Sequence, residues 1–432
     1  MKSQPKIAII GAGPSGITTS YFLNKKGYTN IDIYGDIEDA QPKTLKIEDI
    51  YIETTTCYLH PGYNNSIVKL VNEYDLSLKI LDKAQIIENE NVKDDNFNLS
   101  VKEYAGITLF VLTTLLYKFT KHTFLSKYVY STSFKKYLDN IKLSFLLDTL
   151  VFSSGINAQG YGFFDNVTSY HLLNWFRPSI FLITHFSKNN NIKMINEGYG
   201  TLYRRMYDSL LAMKNKNKVK KVGAKYIITE DDKYIEYDYI FICCPLNQID
   251  TPLKLNNNYI TNSNVFSYSF TSNEKLDNLN NRIYFKENLL NSKEDSCLTL
   301  RYNGVTKSGI HSYCTFGYSS KYDNVKLKEI IKEELKINGI KILEDTYFKI
   351  YKYNYRFTED AIKDSIHIDI TRKQGIDGIY YLGGLMSHWD VDSIYEHSRY
   401  ITNKFHTSNT DSIYERCKTK LTMLKNYIFD EW

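Results

Sequence analysis

Hydrophobic positions near the start of the chain form a continuous run that is followed by a helical pattern. Ile7–Ile10 consists of four apolar residues, which is typical of a parallel strand buried on both faces. The following positions predict a helix from Pro14 to about Lys26, where Gly27 ends it. Ile31–Tyr34 is then a second short strand. The pattern predicts a β-α-β unit within the first 36 residues.

Helical and strand-like patterns alternate along the rest of the chain, and glycine, proline or a change of period marks their ends. We expect these further elements, in chain order: a helix at 65–74, mainly helices over 76–195, a helix at 198–214, strands at 224–229 and 239–243, strands with a helix at 327–337 over 256–344, a strand at 379–382, a helix from about 392, and an amphipathic helix over 409–432.

The longest apolar stretch is Ala105–Tyr117, with the sequence AGITLFVLTTLLY. A membrane-spanning helix needs about 20 predominantly apolar residues. This stretch is shorter, contains three threonines and is followed by Lys118 and Lys121. It therefore predicts a buried helix rather than a membrane span.

The composition is that of a globular protein. A chain of 432 residues predicts two or three domains, and 43% hydrophobic with 24% charged residues excludes a disordered chain or a rod. The net charge of +5 is spread along the chain, so we expect no nucleic-acid partner. Six cysteines without a C-x-x-C pair and nine scattered histidines predict no metal site and a reduced, cytoplasmic protein. We expect no signal peptide, because glycines interrupt the first apolar run.

A glycine-rich turn joins the first strand to the first helix. Gly11-Ala12-Gly13-Pro14-Ser15-Gly16 has the spacing G-x-G-x-x-G. In this context Gly11 makes the tight turn, Gly13 lets a pyrophosphate approach the backbone, and Gly16 lets the helix pack on the strand. Free N–H groups at the helix start bind anions. The motif, with Pro14 and Ser15 at the helix start, therefore predicts a dinucleotide site.

The second strand ends where such folds place an acid that holds the adenosine ribose. That position is Gly35, and Asp36 follows it. Asp36 takes this role if the strand ends one residue later; otherwise it is a solvated turn residue. The sequence leaves both interpretations open.

The start of the chain, IAIIGAGPSG, resembles the FAD-binding end of the flavin-dependent amine oxidase superfamily. Within it, the chain is similar to the group of FAD-containing polyunsaturated fatty acid double-bond isomerases and related flavoprotein oxidoreductases. The resemblance covers residues 6–405 and is carried by four further segments: GYGFFDNV at 160–167, EGYGT at 197–201, DYIFICCPL at 238–246, and YLGGLMS at 381–387 with Asp392 and Ser398 after it.

This resemblance implies an FAD cofactor and hydride transfer between the flavin and a small, largely apolar substrate, either an unsaturated fatty acid or an amine. Return of the hydride to another carbon would isomerise a double bond, and transfer to oxygen would make the protein an oxidase. Six further residues are implied at the cofactor: Lys43, Val222, Gly383, Gly384, Trp389 and Asp390. Two alternatives stay open, namely Val222 as an ordinary strand residue and Asp390 as a helix N-cap beside a packing Trp389.

Three positions depart from the family pattern. Gly35 stands in place of the ribose-binding acid, Gln41-Pro42 in place of a glycine pair, and Gly384 in place of the acid that would hold the ribityl chain. A hydrogen bond to a charged group contributes about 1.5–3 kcal/mol, so these losses weaken FAD binding unless Asp36 or Glu53 compensates. A degenerate flavoprotein, retained as a binding or structural protein, is therefore an alternative function. A dehydrogenase that uses NAD(P) is a third.

Aromatic residues near the GYG segment are candidates for the substrate pocket. Tyr161, Phe163 and Trp175 either wall an apolar channel or belong to the ordinary core. Arg177 and the pair Arg204-Arg205 are candidate carboxylate anchors or solvated helix charges. No Ser/His/Asp or Cys/His arrangement stands out, as expected where a cofactor carries the chemistry, so we name no catalytic residue.

The predicted fold is α/β: an amine-oxidase-like, Rossmann-type FAD-binding domain with an inserted α+β substrate domain. Residues 1–75, 196–255 and 345–408 form the FAD-binding domain. Residues 76–195 and 256–344 form the substrate domain, and residues 409–432 form a C-terminal helical tail.

Overall fold

A computed structural model describes most of the chain. The described residues are 4–55, 58–59, 65–81, 85–88, 91–94, 99–121, 123–154, 160, 162–176, 192–275, 282–320, 323–388 and 390–409. Tyr161, Arg177 and Trp389 lie outside them, as does the predicted tail beyond Asn409. The predictions for these residues stay predictions.

The described strands, in chain order, are β1 (Ile7–Ile10), β2 (Ile31–Tyr34), β3 (Thr44–Ile47), β4 (Ile50–Glu53), β5 (Leu78–Ile80), β6 (Gln85–Glu88), β7 (Asn91–Asp94), β8 (Lys193–Ile195), β9 (Met213–Asn215), β10 (Val219–Gly223), β11 (Tyr226–Thr229), β12 (Tyr234–Glu236), β13 (Tyr239–Ile242), β14 (Ile260–Ser272), β15 (Arg282–Phe285), β16 (Thr299–Val305), β17 (His311–Tyr318), β18 (Glu344–Phe357) and β19 (Ile379–Tyr381).

The described α-helices are α1 (Pro14–Lys25), α2 (Asn65–Glu73), α3 (Val101–Thr120), α4 (Leu125–Val129), α5 (Phe134–Asn140), α6 (Leu147–Ser154), α7 (Ser169–Trp175), α8 (Tyr199–Ser209), α9 (Lys286–Leu290), α10 (Asn324–Ile337), α11 (Glu359–Lys363), α12 (Ile366–Arg372) and α13 (Val391–Asn409).

The first sheet is parallel and has the strand order β19-β13-β1-β2-β9. Its central strand β1 pairs with β2 on one side and β13 on the other, and its side chains are buried on both faces. Helices α1 and α13 pack against each other beside this sheet. The predicted α/β fold built on a β-α-β unit is confirmed.

The predicted helix at 198–214 is too long. Helix α8 ends at Ser209, the backbone of Leu210 is extended, and Met213–Asn215 forms the edge strand β9. In β9, the main chain of this segment forms hydrogen bonds with β2, and these would be lost if the helix continued. Local pattern alone therefore failed here, because a tertiary contact decides the structure.

The second sheet has the strand order β18-β14-β17-β16-β15-β6-β7, with antiparallel pairs except between β15 and β6. Helix α10 covers one face with the buried side chains of Leu327, Ile331 and Leu335. The edge strand β18 pairs with β14 along nearly its whole length. Strand β18 therefore forms one edge of the second sheet. The predicted start of a segment of the FAD-binding domain at residue 345 stays a prediction.

Helix α3 packs against the helical core through only one of its faces. Ile107, Phe110 and Tyr117 are buried, and the Tyr117 hydroxyl donates a hydrogen bond to the Tyr170 carbonyl at 2.6 Å. The opposite face is exposed, so the prediction of a buried helix is wrong for that half. In the part of the chain that the structure describes, no helix combines the length and apolar content needed to cross a bilayer.

Candidate functional site

The three glycines of the G-x-G-x-x-G turn differ in the space that a side chain would have at each position. Gly11 has φ +115°, and a Cβ there would lie 3.2 Å from the Cys243 carbonyl carbon. A Cβ on Gly16 would lie 1.8 Å from the Gly11 oxygen, so no side chain fits between helix α1 and the turn. A Cβ on Gly13 would meet nothing within 4 Å. The open side of Gly13 therefore faces space rather than protein.

That space is a cavity of about 420 Å³ at the carboxyl ends of the parallel strands. It lies beyond the end of the central strand β1, which is flanked by β13 and β2. Open α/β sheets bind ligands at such a position. Seven of the predicted cofactor residues line it: Gly11, Gly13, Pro14, Ser15, Asp36, Gly383 and Gly384. Lys352, Tyr353 and Tyr355 of β18 line it from the second sheet. The cavity therefore lies between the two sheets.

Helix α1 points its N-terminus at this cavity. Gly13 is the N-cap residue, no side chain caps the helix, and Pro14 occupies the first turn. The first N–H groups of a helix have no partners within it and carry a partial positive charge. This end of the cavity therefore fits an anionic group such as a pyrophosphate.

Asp36 both lines the cavity and caps a turn, so its role at the ribose stays a prediction. It lines the cavity, and its carboxylate also accepts a hydrogen bond from the Glu38 N–H at 3.0 Å and lies 3.3 Å from the Lys216 ammonium. That backbone hydrogen bond holds the pKa of Asp36 below its usual range, so the group is anionic. Gly35 cannot carry the missing acid, because its φ is +122° and a Cβ would lie 3.2 Å from the Ala12 nitrogen.

Two of the remaining predicted cofactor residues lie away from the cavity lining. Val222 is buried in β10 and donates its N–H to the Asp250 carbonyl at 2.8 Å, whereas Val219 of the same strand lines the cavity. Lys43 follows the lining residue Pro42, and its carbonyl accepts the Thr54 N–H at 3.0 Å. The structure thus brings Val219, not Val222, to the cavity.

The other end of the cavity is a turn between β19 and α13. Gly383 has φ +95°, which an L-residue rarely adopts, and Gly384 follows it along the lining. Asp390 caps α13, since its carboxylate accepts the Ser393 N–H at 2.8 Å. Asp390 is therefore the N-cap residue of α13, which is one of its two predicted roles.

Solved structures resemble more than nine-tenths of the chain. No protein-family model and no curated protein sequence matches it. Among solved structures, the CLA-producing fatty acid isomerase from P. acnes superposes with a TM-score of 0.76 at 14% identity, over 94% of this chain and 99% of that chain. Putrescine oxidase bound to putrescine has a TM-score of 0.69 at 13% identity, over 93% and 99%. Cyclohexylamine oxidase from Brevibacterium oxydans has 0.64 at 11%, over 94% and 100%.

The chain has the fold of this isomerase and of these amine oxidases.

Within this amine-oxidase-like fold, two thiols lie at the cavity. Burial raises the pKa of Cys243 to about 11 and that of Cys244 to about 12, so both are protonated at neutral pH. The sequence analysis missed these cysteines and the tyrosines of β18 as lining residues. The rule that parallel strands end at one edge of a sheet points to Cys243, since it directly follows β13.

The GYG segment is held against the second sheet. Gly160 and Gly162 both have positive φ, and a Cβ on Gly160 would lie 2.6 Å from the Tyr353 ring. The Gly162 N–H donates to the Tyr318 hydroxyl at 2.8 Å. Phe163 packs on Tyr318 with ring centroids 4.7 Å apart and is buried in the core, away from the cavity lining. Of the predicted pocket residues, Trp175 ends α7 and Tyr161 lies outside the described residues.

Beside this segment lies a buried arginine. Arg356 of β18 is only 7% exposed, and its Nη1 donates to the Ser263 hydroxyl at 2.9 Å and to the Asn354 carbonyl at 3.3 Å. A Cβ on Gly162 would lie 3.3 Å from its Nη2. Burial lowers the pKa of Arg356 to about 10, so it stays a cation at neutral pH. No described acidic side chain lies within ion-pair distance of it.

Two further buried polar groups surround this arginine. Asn354 is 1% exposed, and neither atom of its amide has a hydrogen-bond partner among the described residues. His171 accepts the Phe357 N–H at Nε2 at 2.8 Å, and burial holds its pKa well below the usual value, so it is neutral. Among the described residues, the surroundings of Arg356 therefore offer hydrogen bonds but no balancing negative charge.

The arginines that the sequence singled out lie elsewhere. Arg204 pairs with Glu38, and Arg205 donates to the Tyr74 carbonyl at 2.7 Å at an exposed position. Neither lines the cavity. Arg356 gave no signal in the sequence, because an isolated arginine in an alternating strand is usually solvent-facing.

Proposed function

We propose that the protein is an FAD-dependent oxidoreductase or isomerase that acts by hydride transfer on an apolar substrate carrying a carboxylate, such as an unsaturated fatty acid. The observation that carries the choice of substrate is the buried, unbalanced Arg356. The neighbours of this fold include both a fatty acid isomerase and amine oxidases, so the fold alone does not choose between acids and amines.

The residues at the cavity fit FAD. The N-terminus of α1 and the open side of Gly13 suit its pyrophosphate, and the anionic Asp36 suits the adenosine ribose. Gly383 and Gly384 leave room for a ring beside α13. When bound, FAD would supply a hydride acceptor that side chains do not provide. The chain's own part is to position the substrate and to exclude water.

Arg356 favours an acid over an amine. A buried cation with no acidic partner is costly, and a ligand carboxylate reduces that cost by forming an ion pair with its free Nε and Nη2 donors. A substrate ammonium group would instead be repelled. Tyr353 and Tyr355, which precede Arg356 on the same strand, line the cavity, whereas Arg356 lies behind that lining, next to the GYG segment that also contacts the Tyr353 ring.

Gly35 favours the alternative function, a degenerate flavoprotein retained for binding. Its conformation excludes the acid found at this position in the resembling family, and Asp36 already caps a turn. In that case the chain would keep the fold with little affinity for FAD. Titration with FAD distinguishes the two functions before any substrate is tested.

The substrate class is tested with FAD-loaded protein under anaerobic conditions. We expect linoleate to perturb or bleach the flavin absorption, or to yield an isomer with conjugated double bonds, whereas a straight-chain alkylamine of equal length has no effect. A response to the amine alone would overturn the assignment of an acid substrate while leaving the flavoenzyme function intact.

A further inference from the structure

Exposed apolar side chains are concentrated on one part of the surface. More than half of the large hydrophobic residues exposed among the described ones lie between residues 101 and 145. We define the α3–α4 face by nine of them: Leu109, Leu112, Leu115, Leu116 and Phe119 of α3, Phe124 at the N-cap of α4, and Leu125, Tyr128 and Val129 of α4. A concentration of exposed apolar side chains of this kind is typical of an interaction site.

Helical geometry separates this face from the side of α3 that packs on the core. Residues 109, 112, 116 and 119 follow the i, i+3, i+7, i+10 spacing of a single stripe. Leu112 is 56% exposed and Phe119 is 66% exposed, while Phe110 and Tyr117 on the opposite side are fully buried. Because the inner side is held by the core, α3 presents its outer stripe along the surface for about 15 Å, at 1.5 Å per residue.

Helix α4 continues the face immediately after α3. Phe124 and Tyr128, one helical turn apart, are 71% and 70% exposed. On the other side of α4, Ser126 is buried and its hydroxyl lies 3.0 Å from His367 Nε2. The short helix is thus also fixed to the core through one side, with aromatic rings projecting from the other.

Within residues 101–129 the charges are mostly basic, although helix α11, which carries Glu359 and Asp360, packs against α4. Residues 101–129 contain four lysines, at 102, 118, 121 and 127, and one acid, Glu103. Glu103 is engaged at the start of α3, where it accepts hydrogen bonds from the Ser100 N–H at 2.8 Å and the Thr149 hydroxyl at 2.7 Å. Lys102 lies over the Phe145 ring at 4.4 Å, and Lys127 lies 5.9 Å from the Tyr128 ring centroid. Ammonium groups at the edge of an aromatic, apolar stripe are typical of helices that lie in a membrane interface.

We propose that the α3–α4 face docks onto an anionic lipid bilayer surface, with α3 lying in the plane of the interface. The apolar stripe would enter the boundary between headgroups and acyl chains, and the lysines would meet acidic headgroups. A second copy of the chain fits less well, because a twofold pairing would bring the same lysines together. The segment 410–432 also fits less well, because its four acids are matched by its own four basic residues and it offers no net negative charge to these lysines.

The test is cosedimentation of the full-length protein with vesicles of phosphatidylcholine, alone or mixed with phosphatidylglycerol. We expect binding to the mixed vesicles, weaker binding to phosphatidylcholine alone, and release by salt. The variant L112Q/L116Q/F119Q should bind the mixed vesicles at least about tenfold more weakly, because three apolar side chains no longer enter the lipid. The variant K102Q/K127Q should lose about fivefold in affinity for each lysine, specifically for the anionic vesicles.

The matched control is V325Q/I337Q on α10, whose two side chains are 71% and 59% exposed but lie outside the face. It should bind like the wild type, and circular dichroism should show that all variants are folded. Equal binding by L112Q/L116Q/F119Q and the wild type would overturn the proposal, as would no binding to either vesicle. So would a wild-type dimer that this variant dissociates, or vesicle binding that appears only in the tail variant L421Q/L424Q.

Discussion

The carboxylate of Glu53 accepts a hydrogen bond from the Thr44 hydroxyl at 2.8 Å, where the β3–β4 hairpin meets the start of α8. The Tyr199 N–H donates to the same oxygen, and Arg301 of the second sheet donates to the Glu53 carbonyl. Burial raises the pKa of Glu53 to about 7, although these donors and the Arg301 charge act in the opposite direction. The contact joins the β3–β4 hairpin and the start of α8 to the second sheet through a group that titrates close to neutrality.

Glu53 should make the stability of the protein depend on pH. Its pKa in the folded chain exceeds its usual value of 4.5, so the folded state binds more protons than the unfolded chain between pH 4.5 and about 7. The free energy of unfolding therefore falls as the pH rises through this window and levels off above it. Over the window the loss amounts to roughly 3 kcal/mol, at about 1.4 kcal/mol per pH unit.

Urea unfolding of the wild type and of Glu53→Gln, at a series of pH values, checks this prediction. The difference between their unfolding free energies should change across the window. Glu333→Gln, which removes an exposed carboxylate on α10, serves as the control and should follow the wild type. Parallel curves for the wild type and Glu53→Gln would contradict the burial of a titrating carboxyl.

Gly13 and Gly16 should respond differently to the same substitution. Gly13→Ala places a methyl group in the open cavity, so stability should be unchanged while FAD affinity falls about tenfold or more through a lost hydrogen bond to a charged group. Gly16→Ala forces a methyl group against the Gly11 oxygen and should lower the unfolding free energy by about 1–3 kcal/mol. Thermal denaturation and FAD titration measure the two effects. Equal destabilisation by both changes would show that Gly13 does not face open space.

Only one of the two missing acids should be restorable. Gly384→Glu should strengthen FAD binding by about tenfold or more, the contribution of one hydrogen bond to a charged group. Gly35→Glu should instead destabilise the fold by about 1–3 kcal/mol, because φ at this position is +122°. Fluorescence titration with FAD and thermal unfolding of both variants separate these effects. If Gly35→Glu were stable and bound FAD more tightly, the backbone conformation at this position would be other than described.

Arg356→Gln should impair acid binding without loss of FAD. Removal of the charge should lower kcat/KM for linoleate by roughly 10- to 100-fold, the value of a charge-assisted hydrogen bond, with stability kept within about 1 kcal/mol. Arg372→Gln is the matched control, because Arg372 is an exposed arginine near Asp369. Steady-state kinetics on the two FAD-loaded variants give the comparison. Unchanged kinetics in Arg356→Gln would remove the argument for a carboxylate substrate.

The cofactor half of the fold could be predicted because each of its signals is local. The continuous run at β1, the three glycines and the following helix are determined within a few residues, and the structure places them as expected. The same holds for Gly383, where a turn must follow a buried strand.

Features that depend on distant contacts could not be predicted. Strand β18 alternates like any half-buried strand, and only its pairing with β14 shows which sheet it joins. The burial of Arg356 likewise depends on the approach of the GYG segment from a distant part of the chain. Helix α3 has apolar residues all round, a pattern that predicts burial but does not say whether protein or lipid provides it.

The visible absorption spectrum of the purified protein, followed by identification of any cofactor released on denaturation, tests the central claim most directly. The account predicts a flavin spectrum and released FAD, or the appearance of both after incubation with FAD. A protein that is colourless as purified and shows no binding when titrated with FAD would contradict it, and the alternative of a degenerate flavoprotein would then hold.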